Sequence, residues 1–93
     1  MVRRAAKVDS NHEQIVQALR SIPGIYVHDA SGCAGGMPDL ICARNGVFVG
    51  FLEVKMPKAR NRLSPAQLKF HEAFRHSVSV VTNIDEALKA IGL

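Results

Sequence analysis

Two carboxylates and a lysine are the residues of this chain best placed to do chemistry. Asp39 closes the run Gly36-Met37-Pro38-Asp39, and thirteen residues later comes Glu53-Val54-Lys55. Two apart on an extended chain, Glu53 and Lys55 project to the same face. The surrounding sequence is rich in Leu, Ile, Val and Phe. Two acids and a lysine pinned in such strands are costly unless a cation or an anionic substrate balances them. A pair of hard oxygen ligands suits Mg²⁺ or Mn²⁺, which keep several of their waters. The lysine can orient a water or steady a phosphate. These are the parts that metal-assisted phosphodiester hydrolysis needs.

The elements that must position them follow from local patterning. Ser10-x-x-Glu13 matches a capping box, and Ile15, Val16, Leu19 and Ile22 form an apolar stripe, so a helix starts at Ser10 and stops at Pro23-Gly24. Residues 25–29 read as a short strand. Residues 30–36 (ASGCAGG) form a loop whose small side chains let backbone N–H groups approach a partner closely. Residues 39–44 and 47–55 are two strands joined at Asn45-Gly46, a hairpin signal. A basic loop spans 56–62. Ser64-Pro65-Ala66-Gln67 then opens a second helix with cap, first-turn proline and closing glutamine, and Ala66, Phe70, Ala73 and Phe74 give it one apolar face. Residues 78–81 are a buried strand, and Asn83 caps a last helix with Ala87, Leu88 and Ile91 inward. The order is helix, three strands, helix, strand, helix. The unit from Val47 to Val81 is a right-handed crossover onto a parallel neighbour. This gives a mixed sheet flanked by helices, class α/β or α+β.

The hairpin sets a test. With a plain two-residue turn throughout, Asp39 faces Leu52, and Glu53 projects to the opposite side from Asp39. A shared metal requires one face. The sequence therefore predicts a one-residue offset, by a bulge at Gly46 or near Gly50, or an Asp39 lying just before regular pairing begins.

Several further residues have two readings. Glu13 is explained by its capping box, and it also sits at the edge of the apolar stripe, where it could lean toward the sheet and help hold a metal. Gln67 caps its helix and shares a face with Phe70 and Phe74, so it could point at the site from the helix N-terminus, where the dipole favours anions. Lys58, Arg60 and Arg62 follow Lys55 with no acid among them, a candidate phosphate contact. Arg3, Arg4 and Lys7, in a basic arm over residues 1–9, form a second. Ser31 with Gly35 and Gly36 offers hydroxyl and N–H donors. The aromatic residues look structural, and no base-stacking platform is indicated.

Bulk properties agree with one ordinary globular domain over residues 1–93. The chain is 47% hydrophobic and 22% charged, and its net charge of +4 favours a polyanion partner. It holds no apolar run long enough to cross a membrane and no secretory signal. Cys33 and Cys42 are not in CxxC spacing, and His12, His28, His71 and His76 show no metal-type pairing. Neither a zinc knuckle nor a disulfide framework is expected. This is intracellular, reducing-compartment cysteine usage, and the expected location is cytoplasmic.

The sequence resembles the VRR-NUC (virus-type replication-repair nuclease) domain of the PD-(D/E)xK nuclease superfamily in a stand-alone form. The resemblance lies in Glu13, the approach Ser31-Gly32…Gly35-Gly36-Met37-Pro38-Asp39-Leu40, Glu53-Val54-Lys55, and Leu63-Ser64-x-x-Gln67. It implies a restriction-endonuclease-like core, helix–three strands–helix–strand, and a metal-dependent nuclease acting on branched or flapped DNA. Small stand-alone members look like homodimeric Holliday-junction resolvases with a role in DNA repair. By resemblance, Asp39, Glu53 and the Val54 carbonyl bind Mg²⁺ or Mn²⁺, Lys55 positions the attacking water, Glu13 supports the metal directly or through water, and Gln67 orients the site. The alternatives are a flap or replication-fork nuclease, or a non-catalytic DNA-binding module of the same fold.

Overall fold

The computed structural model describes residues 10–93. The arm expected over residues 1–9, with Arg3, Arg4 and Lys7, lies outside the described residues. The elements are helix α1 (His12–Arg20), strands β1 (Ile25–Asp29), β2 (Leu40–Arg44) and β3 (Val47–Val54), helix α2 (Pro65–Ala73), strand β4 (Val78–Val81) and helix α3 (Ile84–Ala90), with a 3₁₀ turn at Pro57–Ala59. The sheet runs β1-β2-β3-β4, antiparallel at the first two junctions and parallel between β3 and β4. This is the mixed sheet that the order of elements predicts, in an α+β fold.

One face of the sheet carries the core. Ile15, Val16 and Leu19 of α1 and Ala87 and Ile91 of α3 close over Val27, Leu40, Cys42, Leu52, Val54 and Val81. Burying each Ile, Leu or Val contributes about 1.5–3 kcal/mol against leaving it exposed. Burial also pushes the Cys42 thiol up to about 11, which suits an inert core residue. The opposite face is covered more thinly. There Phe51 of β3 meets Phe70 of α2 and Phe74, the residue that caps that helix, edge-on, at centroid distances of 5.2 and 5.4 Å. The expected apolar face of α2 therefore needs correction. Ala66 and Ala73 are exposed, Phe74 is half exposed, and no residue of the helix is buried.

The register resolves the test set by the hairpin. Asn45 and Gly46 both take positive φ, 51° and 83°, as a two-residue turn suited to the strand twist requires. Arg44 pairs with Val47 and Ala43 with Phe48, but Cys42 then pairs with Gly50. The extra residue is Val49, so the bulge lies beside Gly50. Gly50 has φ +154°, and a Cβ there would approach the Ser77 carbonyl oxygen to 3.3 Å. Beyond the bulge, Leu52 pairs with Leu40 on the core side. The next position along that register sets Asp39 across from Glu53, on the other face.

The start of α1 differs from expectation. Its cap is Asn11 without a side-chain capping bond, and the Ser10–Glu13 box does not form. The Asn11 amide instead donates to the carbonyls of Lys55 (3.2 Å) and Thr82 (2.7 Å), tying the helix to the ends of β3 and β4. Two tertiary hydrogen bonds outweigh one local cap. The cap of α2 forms as the sequence predicts: Ser64 Oγ accepts from the Gln67 amide, and Gln67 Oε1 accepts from the Ser64 amide.

Candidate active site

The site lies where β2 begins and β3 ends. Pro38 is fully buried and anchors the approach to Asp39. The Asp39 carbonyl accepts from the Ala30 amide at 2.7 Å, which fixes the backbone at that corner. Its carboxylate reaches the neighbouring strand, where Oδ2 accepts from the Val54 N–H at 2.8 Å. In an antiparallel ladder a residue's N–H and C=O point to the same neighbour, so the Val54 carbonyl also faces the Asp39 side.

Glu53 is 2% exposed. Gln67 Nε2 donates to its Oε2 at 3.1 Å, and Lys55 Nζ stands 3.6 Å from the same oxygen. A buried carboxylate is tolerable only when paired and hydrogen-bonded, and both conditions are met here. Gln67 thus closes its helix cap with one end of its amide and holds Glu53 with the other. Both of its sequence readings are realised in a single side chain.

The glycine-rich approach is pressed against α2. A Cβ on Gly36 would stand 2.3 Å from the Ala66 carbonyl oxygen and 2.7 Å from the Gln67 amide nitrogen. With φ at +80°, this position suits glycine alone. The loop before Asp39 and the helix bearing Gln67 are therefore locked together. Gly35 has open space around it. Ser31 belongs to an Asx turn: its amide and hydroxyl both donate to Asp29 Oδ1, at 3.0 and 2.6 Å.

Other expected residues sit elsewhere. Glu13 is exposed and accepts from Gln17 at 2.6 Å. Among the described residues no three His, Cys, Asp or Glu side chains group closely enough to hold a metal ion, Glu13 with Asp39 and Glu53 included. The reason is layering: α1 packs on the core face, while Asp39 and Glu53 use the other. Lys58 and Arg62 are exposed. Arg60 is engaged internally. It pairs with Glu86 and donates to Thr82 Oγ1 (3.3 Å) and the Val80 carbonyl (3.5 Å). A cavity of about 440 Å³ at the C-terminal end of α2, lined by Glu72, Ala73, Phe74, Arg75, His76 and Ser77, contains none of these residues.

The sequence reading passes over two groups. His12 is buried and contacts Asp29 at 3.0 Å, linking α1 to β1. His71 lies four residues after Gln67 on α2, and burial followed by the charge of Lys55 holds its imidazole below the usual value. The spacing Gln67-x-x-x-His71 is the only sequence signal for it.

Asp39, Glu53 and Lys55 thus come together at the ends of the two central strands of the sheet. The chain matches the family model of the VRR-NUC domain over residues 3–87, and it belongs to that family. It is accordingly a nuclease domain whose substrate is DNA. Searches of curated proteins and of solved structures return no match. No helix of the described residues is long and apolar enough to cross a membrane.

Proposed function

We propose that this chain is a divalent-metal-dependent endonuclease that cuts branched DNA, with the four-way (Holliday) junction as substrate and a homodimer as working form. The observation that carries the reading is the bulge beside Gly50, which brings Asp39 and Glu53 to one face next to Lys55. The donor set fits Mg²⁺ or Mn²⁺: Asp39, Glu53 and the Val54 carbonyl are hard oxygens, and water and substrate complete such sites. One oxygen of each carboxylate is already held, by the Val54 N–H or by Gln67 and Lys55, so both groups are oriented in advance. When bound, the ion would place positive charge against the scissile phosphate and lower the pKa of its water.

The chain's own residues do the rest. Lys55 is anchored by Glu53 and presents an ammonium to the attacking water or to the charge that develops on phosphorus. Gln67 keeps Glu53 from rotating. Exposed Lys58 and Arg62 steady the DNA backbone beside the site, together with Arg3 and Arg4 of the arm. A four-way junction needs two symmetric cuts, which a C2 dimer with one site per subunit supplies.

Cleavage of labelled junction, flap, fork and linear duplex with Mg²⁺, Mn²⁺ or chelator tests this. Metal-dependent paired nicks on the junction are expected. They should vanish in Asp39→Asn and fall on the order of 100-fold or more in Lys55→Met. Sedimentation should give twice the 10.1 kDa protomer. Cuts confined to flaps or forks would replace the junction as substrate. Binding without cleavage under every metal would point to a non-catalytic module.

A further inference from the structure

Gln67 and His71 are one turn apart on α2 and share the face that looks onto β3. Gln67 holds Glu53. One turn further on, His71 Nε2 is buried and makes no hydrogen bond to any described residue. A ring nitrogen stripped of water without a replacement partner is unfavourable, and such an atom in a folded protein calls for an explanation, a catalytic role or a bound water being among them. The nearby charge is the Lys55 ammonium, itself tethered to Glu53. Burial and that charge favour the neutral ring, which carries one acceptor nitrogen. A buried acceptor close enough to feel the charge of Lys55 can share a water with that ammonium.

We propose that His71 is a catalytic residue of this site, its Nε2 taking a hydrogen bond and then a proton from the water that Lys55 orients. The ring's own proton is then on Nδ1. As the water oxygen bonds to phosphorus, its proton passes to Nε2. The bond from phosphorus to the leaving oxygen breaks, that oxygen takes a proton from solvent, and His71 returns its proton to solvent. The inference rests on the nuclease reading of Asp39, Glu53 and Lys55 given above.

His71→Gln keeps an acceptor at similar reach but is not basic. His71 is only partly buried as a whole, so the variant should fold with a melting temperature close to that of wild type. Two measurements decide. Without metal or DNA, an NMR titration of the His71 ring in wild type and Lys55→Met should show the pKa rising when the ammonium is removed. In single-turnover cleavage, His71→Gln should be slower on the order of 100-fold, with DNA affinity intact. The wild-type rate should fall on the acid side as the ring protonates, and the variant should lose that limb. Asp39, Glu53 and Lys55, the other charged groups of the site, are the same in both proteins. An active wild type matched by His71→Gln in rate and pH profile overturns the proposal alone. A wild type that cuts no DNA with either metal overturns the nuclease reading, and the proposal with it. A ring pKa indifferent to Lys55→Met removes the pairing on which the proton path depends.

Discussion

Gln67 shows how one amide can couple a local motif to a functional group. Its Oε1 satisfies the Ser64 N–H, and its Nε2 holds Glu53 Oε2. The two roles separate by substitution. Gln67→Glu retains the capping acceptor, since glutamate serves that position equally well. It also sets a second carboxylate against a buried one, and like charges there disfavour ionisation of both. Cleavage should therefore fall on the order of 100-fold, while the thermal midpoint changes little. Gln67→Ala removes both bonds and should cost about 1 kcal/mol in stability as well. Paired melting curves and single-turnover rates distinguish the cases. A Gln67→Glu variant with the full wild-type rate would show that the Glu53 contact is incidental.

At the scale of elements, two contacts decide whether the site is assembled. The first is Gly36 on the opening turn of α2. Gly36→Ala combines a positive φ with a Cβ 2.3 Å from backbone oxygen, and backbone cannot swing aside as a long side chain can. Destabilisation of about 2–4 kcal/mol is expected, and cleavage should drop even in the folded fraction, because Gln67 moves with its helix. The second is the brace from Arg60 to Glu86, Thr82 and Val80. Arg60→Ala should lower the melting temperature. Lys58→Ala and Arg62→Ala, with exposed side chains, should leave it unchanged and instead weaken DNA binding and flatten its salt dependence by about one counterion each. The elements themselves were legible because their signals are local: Asn45-Gly46 for the hairpin, Ser64-Pro65 with Gln67 for α2, Asn83 for α3. The offset was legible by a longer argument, since a shared face for Asp39 and Glu53 requires a bulge at Gly46 or near Gly50, or an Asp39 just before regular pairing, and the bulge near Gly50 is the option realised. What escaped depends on distant partners. Asn11 takes the cap of α1 because its amide binds carbonyls 44 and 71 residues away. The engagement of Arg60 depends on a glutamate 26 residues on. His71 has no local role that would distinguish it from any surface histidine. Such contacts exist only once the chain has closed.

For the whole molecule, acid should loosen the layer that covers the core. Two carboxylates tie it down. Asp29 binds His12 of α1, and Glu86 of α3 binds Thr82 and Arg60. Burial alone would raise Asp29, but hydrogen bonds from the Ser31 hydroxyl and amide, and then from His12, outweigh it and hold the group below its ordinary value of 3.8. The Thr82 N–H first, helped by Arg60, holds Glu86 below its ordinary 4.5. Each group therefore binds its proton more weakly folded than unfolded, and stability rises with pH wherever the unfolded chain holds more protons. Both contributions are complete above those ordinary values and disappear as pH falls through the lower folded ones. Urea unfolding at about pH 6 and about pH 3 should show the midpoint dropping in acid. Glu86→Gln should be less stable than wild type at the higher pH and lose less on acidification, because the amide cannot titrate. Glu86 is partly exposed, so high salt should shrink the ionic part of the difference while the hydrogen bond from the Thr82 amide persists. An acid drop of equal size in wild type and Glu86→Gln would place the pH sensitivity outside this brace.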